Sequence, residues 1–115
     1  MTELESRTLC IDLDHTLCTS SGDYAKAEPI PGARESLRTL RKAGWVIVLH
    51  TARHFNHWQV TVSWLDQHGF VYDQIVFSKP PARFYIDDRA ICFNGDWSEV
   101  CHKLDGAGGG DKSPT

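Results

Sequence analysis

Carboxylates, a hydroxyl and an ammonium follow directly on short apolar runs in this sequence, and their placement suggests chemistry. Asp12 and Asp14 come after Thr8-Leu-Cys-Ile, and Thr51 after Trp45-Val-Ile-Val-Leu-His. Lys79 comes after residues 70–77, and Asp87 and Asp88 after Phe84-Tyr-Ile. Three or four carboxylates meeting in one crevice would repel each other and raise each other's pKa values. A bound divalent cation removes that cost. Oxygen donors without His or Cys favour magnesium over zinc. Magnesium usually completes its octahedron with water and a substrate phosphate. The hydroxyl of Thr51 and the ammonium of Lys79 would then hold the remaining phosphate oxygens. Such a set suits phosphoryl transfer, where positioning and charge neutralisation do most of the catalysis.

The elements that must position these groups can be read from hydrophobic period. The runs ending at Asp12, at Thr51 and at Asp87, together with residues 70–77, predict four buried strands. From Gly32 the period becomes helical, with Leu37 and Leu40 facing inward and Gly44 at the stop. A second helix is expected over residues 54–68, with Trp58, Val62 and Leu65 on its buried stripe. A last short helix is expected over 96–104. Strands alternating with helices imply parallel βαβ units, so the expected fold is a single Rossmann-like α/β domain over residues 1–104, its mostly parallel sheet covered by helices on both faces. Ligands of such sheets lie at the carboxyl ends of the strands, where all the polar groups named above fall. Residues 105–115, with Gly106, Gly108, Gly109 and Gly110, are expected to form a flexible tail.

Asp12-Leu-Asp-His-Thr-Leu17 resembles the D-x-D-x-T signature of the haloacid dehalogenase superfamily of phosphatases. Thr51 within Leu49-His-Thr-Ala-Arg53, Lys79 within Ser78-Lys-Pro-Pro-Ala-Arg83, and Ile86-Asp-Asp-Arg89 resemble the other three motifs, in order, so that the resemblance covers roughly residues 8–95. It implies that Asp12 attacks phosphorus to give an aspartyl-phosphate, and that Asp14 protonates the leaving alcohol and then activates water. It implies that Mg2+ is held by Asp12, the backbone carbonyl of Asp14 and an acidic residue of the fourth motif. Asp88 is favoured as the direct ligand, with Asp87 beside it and paired to Lys79, although the sequence leaves that order open. Thr51 and Lys79 bind the transferring phosphoryl group. Arg53 is either a further contact to the substrate anion or a structural arginine. His15 stands where many members have glycine, and is read either as a side chain pointing away from the site or as a contact to substrate or flap.

Relatives acting on small metabolites often carry an inserted cap. Here the first gap, residues 17–31, holds only a short flap with Tyr24 and Lys26, and the second, residues 52–78, is used up by one helix and one strand. A capless, open site is expected, which suits bulky substrates or a covering neighbour, whether a second copy or another chain. Lys26-Ala-Glu-Pro-Ile-Pro31 and Lys79-Pro-Pro-Ala82 are similar to segments of proteins linked to capsule and cell-surface carbohydrate synthesis, which points to a phosphorylated sugar, polyol or small alcohol. The competing readings are a phosphatase for a phosphoprotein or a nucleic-acid 3′ end, and a non-catalytic binding domain.

Bulk properties narrow these readings. The 115 residues are 41% hydrophobic and 23% charged, with a net charge of −3, as in ordinary soluble proteins. The sequence pI near 6.0 offers no basic footprint for nucleic acid. No apolar run is long enough to span a bilayer, and the polar first residues lack a signal-peptide core, so a cytoplasmic protein is expected. Cys10, Cys18, Cys92 and Cys101 form no C-x-x-C pair and are read as reduced packing residues. His54 and His57 have a spacing that could bind a transition metal, but exposed helical histidines are the commoner case. Trp64 has no clear place on the predicted stripe.

Overall fold

The computed structural model describes residues 1–19 and 22–107. Strand β1 (Thr8–Asp12) lies parallel to β2 (Val46–His50), with Thr8 opposite Val46 and Asp12 opposite His50. Strand β3 (Gln74–Val76) pairs parallel with β2 on its other side, with Val48 opposite Gln74 and His50 opposite Val76. The order β1-β2-β3 makes β2 central, and its Ile47 and Leu49 are fully buried. This register ends the three strands in one row, so Asp12, Thr51 and the residues after Val76 emerge together.

A short helix α1 (Glu3–Ser6) precedes β1, closed by a capping box in which the Thr2 hydroxyl accepts from Glu5 N–H and the Glu5 carboxylate accepts from Thr2 N–H. Helix α2 (Ala33–Lys42) buries Ala33, Leu37 and Leu40, as its period predicts. It stops at Gly44, whose φ of 105° is left-handed and costs glycine little. Residues 70–73 were expected to be strand, but β3 begins only at Gln74. Asp73 accounts for the shortening: its carboxylate accepts from Ile47 N–H (2.9 Å) and pairs with Arg41 (2.9 Å), while its own N–H donates to Ile47 O (2.8 Å). The side chain thereby replaces one rung of the ladder.

Helix α3 (Trp58–Gln67) is entered by a tight 3-10 turn, Phe55–His57, rather than running from residue 54. Its buried stripe is Thr61, Trp64 and Leu65, and Trp58 is 47% exposed. Of the expected stripe Leu65 is buried and Val62 half-buried, while Trp64 takes the inward place expected of Trp58. Its indole N–H donates to the Ala27 carbonyl (2.9 Å), and its ring stacks on Phe70. Trp64→Phe removes that donor and leaves a buried carbonyl unsatisfied; a loss of about 1–3 kcal/mol is expected in urea unfolding. A change below experimental error would show that water takes over the bond.

Helix α4 (Trp97–Ala107) packs on α2 and is tied to the first loop by Trp97 N–H donating to Thr16 O (2.9 Å). It runs three residues into the expected tail, and residues 108–115 lie outside those described. The fourth strand is not formed. Residues 84–87 form no regular element, and Phe84 and Ile86 are 73% and 99% exposed. Among the described residues β1 therefore pairs only with β2. Neither gap between motifs holds an inserted domain, so the α/β domain has no cap.

Candidate active site

Asp12 ends β1, and the chain then turns sharply, with Leu17 N–H donating to Leu13 O (2.9 Å) and His15 N–H to Cys18 O (2.7 Å). The turn holds His15 at φ 66°, in the left-handed region, with its side chain exposed. That backbone explains why glycine is common at this position in relatives. The flap lies against the body: Thr19 N–H donates to Glu28 O (2.8 Å), Ile30 N–H to Leu17 O (2.9 Å), and Ala27 accepts from Trp64.

Thr51 is fully buried where β2 ends and joins the strand ends together. Its N–H donates to Val76 O (3.0 Å), its carbonyl accepts from Lys79 N–H (2.9 Å), and its hydroxyl oxygen accepts from Arg53 N–H (3.1 Å). A hydroxyl accepting one bond still has its proton to give. The turn through Ser78, at φ 78°, brings Lys79 back across the strand ends, and its Nζ lies 3.6 Å from Asp12 Oδ2. The sequence reading paired Lys79 with Asp87, but the ammonium faces Asp12 and the ring of Tyr85, 4.0 Å from its centroid. The pKa of His50, next to Asp12 in the register, is lowered by burial and then by the Lys79 charge, against the opposing pull of Asp12.

Arg53 is tied within the protein to Asp14. Its side chain is buried and grips Asp14 with two hydrogen bonds, Nε to Oδ2 (3.0 Å) and a terminal nitrogen to Oδ1 (2.7 Å). The other terminal nitrogen donates to Thr61 Oγ1 (3.0 Å), and the Tyr24 ring covers the guanidinium at 3.7 Å. The sequence reading left Arg53 open between substrate and structure, and it missed Thr61 altogether. No local pattern in the sequence joins Arg53 to Thr61, eight positions on.

Cys18 sits against the same carboxylate, its Sγ 3.7 Å from Asp14 Oδ1. Burial, and then the Asp14 charge, push its thiol up to about 12. It should therefore resist alkylation, since the thiolate is the nucleophile. Iodoacetamide at pH 8 is expected to label the exposed Cys10 and Cys92 of the native protein and to leave Cys18 unmodified, as read by peptide mass spectrometry. Prompt labelling of Cys18 would contradict its buried placement.

Asp87 and Asp88 are not brought to this site. They lie in an exposed turn in which Asp87 accepts from Arg89 N–H (2.8 Å), a bond that lowers its carboxyl pKa. Among the described residues no group of three or more His, Cys, Asp or Glu side chains could hold a metal ion. As placed, Asp12 and the Arg53-bound Asp14 do not make a divalent-cation site, so the four-carboxylate cluster expected from the sequence is not assembled.

Comparison with known proteins decides the family. Residues 7–94 match the model described as 5′ nucleotidase, deoxy (pyrimidine), cytosolic type C protein, a stretch that holds Asp12, Asp14, Thr51, Lys79, Asp87 and Asp88. The chain belongs to this family. It is thus a member of the haloacid dehalogenase superfamily of phosphatases, as the four motifs implied. Nucleotidases of this type are generally metal-dependent. A protein of Chlorobaculum tepidum named "Putative 5'(3')-deoxyribonucleotidase" is 40% identical over a 75-residue alignment that covers 56% of this chain. The match spans only 37% of that relative's length. A crystal structure of a structural-genomics target from Vibrio cholerae superposes with a TM-score of 0.66 at 29% identity, covering 85% of this chain and 98% of that one. A conserved protein from Bacteroides thetaiotaomicron, at 22% identity, shares the fold with a TM-score of 0.63, covering 86% of this chain and 89% of its own. Among the described residues no helix is long and apolar enough to cross a membrane.

Proposed function

We propose that this chain hydrolyses a phosphomonoester through an aspartyl-phosphate on Asp12, with a nucleotide as the substrate class. The observation that carries the reading is the junction of Asp12, Thr51 and Lys79: an ammonium 3.6 Å from the candidate nucleophile, fixed by a main-chain bond to the candidate phosphate-binding threonine. In the first step an Asp12 oxygen bonds to phosphorus, the bond from phosphorus to the leaving oxygen breaks, and that oxygen takes a proton from Asp14. In the second, Asp14 takes a proton from water, whose oxygen bonds to phosphorus as the bond to Asp12 breaks, releasing phosphate. Lys79 and Thr51 hold the non-bridging oxygens, where negative charge must be balanced throughout.

The sugar or polyol reading rests on the flap and on the segment after Lys79. The nucleotidase names of the matched family and relative favour a nucleotide over it. Phosphate release from 5′- and 3′-nucleotides, sugar phosphates, phosphopeptides and 3′-phosphorylated oligonucleotides tests this ranking. Preferred turnover of nucleoside monophosphates supports it, and preferred turnover of a hexose or polyol phosphate overturns it.

Magnesium belongs to the same proposal, with Asp12, the carbonyl of Asp14 and Asp88 as ligands and Asp87 beside them. The described positions do not fit the ion, so no step above runs through it. Its binding requires residues 84–88 to move against β1.

A further inference from the structure

We propose that Arg53 is a positioning residue that fixes Asp14 for proton transfer to the leaving oxygen, and that Tyr24 of the flap holds Arg53 in place. The inference rests on the hydrolase reading above and adds to it a link from flap to proton donor. All three guanidinium nitrogens are engaged within the protein, two by Asp14 and the third by Thr61. With Cys18 Sγ accepting a second bond from the terminal nitrogen that holds Asp14, one N–H is left, too few for the two-point grip by which arginine anchors a phosphate. The arginine side chain is almost fully buried, at 3% exposure, whereas Asp14 keeps 24%. The pair is therefore closed on the arginine side and open on the carboxylate side.

Stability alone is a poor reason for this arrangement. Burying a guanidinium costs about as much as its ion pair returns, and apolar replacements of such pairs are often neutral or better. A two-point Arg–carboxylate contact does supply orientation, since it fixes the carboxylate plane. Each carboxylate oxygen has two lone pairs, so both oxygens of Asp14 keep capacity beyond the bond to Arg53. Proton transfer needs that fixed geometry, with heavy atoms within about 2.6–3.2 Å.

The other face of the guanidinium carries the Tyr24 ring, which also meets the His57 ring edge-on at 5.2 Å between centroids. Three residues on, Ala27 is tied to Trp64. A flap held at these points sets the position of Tyr24, Tyr24 limits the guanidinium, and the guanidinium sets Asp14.

Leaving groups of different basicity separate this role from a structural one. An alkoxide needs a proton to depart, whereas 4-nitrophenolate does not. In Arg53→Lys, formation of the aspartyl-phosphate from a nucleoside monophosphate is expected to slow about 100-fold, the low end of general acid catalysis. With 4-nitrophenyl phosphate the initial burst of nitrophenolate should stay within a few-fold of the parent protein. The later steady rate should fall, because water activation also uses Asp14. Tyr24→Leu should show the same pattern with a smaller loss. Equal slowing of both first steps, or no slowing of either, overturns the proposal. If Arg53→Lys unfolds, as a melting scan would show, Tyr24→Leu decides on the same criteria. A parent protein that hydrolyses neither ester defeats the hydrolase reading itself, and this inference falls with it.

Discussion

Asp12→Asn is expected to abolish phosphate release while leaving the fold intact. The amide matches the carboxylate in shape but is a far weaker nucleophile, so no aspartyl-phosphate forms. Loss of a covalent nucleophile typically costs on the order of 10⁴-fold or more in turnover. Stability should barely change. The Asp12 side chain is 37% exposed and its nearest cation, Lys79, stands 3.6 Å away, a partly solvated pair of the kind that contributes little. Turnover by the parent and the variant, each normalised to a melting scan, checks both halves of the prediction. Substantial residual activity in a folded variant would move the nucleophile elsewhere and remove the basis of the proposed reaction.

The parts of this molecule legible in its sequence are those set by local pattern. β2 is apolar because it is central, and α2 shows its inward face through Ala33, Leu37 and Leu40. Gly44 marks the stop by the left-handed backbone it adopts. The strand-end rule located Asp12, Thr51 and Lys79, and the register shows why they meet. Side-chain partners far apart in sequence were not legible. Trp64 gains its place from a carbonyl 37 residues away, and Arg53 from a carboxylate 39 residues away. Nothing in a local window reports either bond. His15 was ambiguous for a related reason: only the backbone turn reveals that its position is left-handed, and only then does the glycine of relatives become a statement about φ. Residues 84–87 gave the opposite error. Their apolar pattern is that of a buried strand, yet pattern reports what a segment could bury and not whether its neighbour admits it.

Two opposed forces act on that segment, and they lead to the second large prediction. Phe84 and Ile86 are exposed while β1, among the described residues, pairs on one edge only, and burying one such side chain is worth about 1.5–3 kcal/mol. Docking the segment as a fourth parallel strand would also set Asp87 and Asp88 near Asp12, where like charges raise the cost. A divalent cation reverses the sign of that second term and leaves the first unopposed. Magnesium at about 100 times its dissociation constant should then add about 2.7 kcal/mol to stability, a shift of several degrees in Tm for a domain of this size. The same ion should slow amide exchange across residues 84–88, which are unpaired in the structure described. Asp88→Asn should lose the Tm shift and the exchange protection together, and phosphate release should fall with them. Full activity in Asp88→Asn, with no effect of millimolar magnesium on either protein, would show that the acidic turn stays apart from Asp12 and that the fourth motif has no part in the reaction.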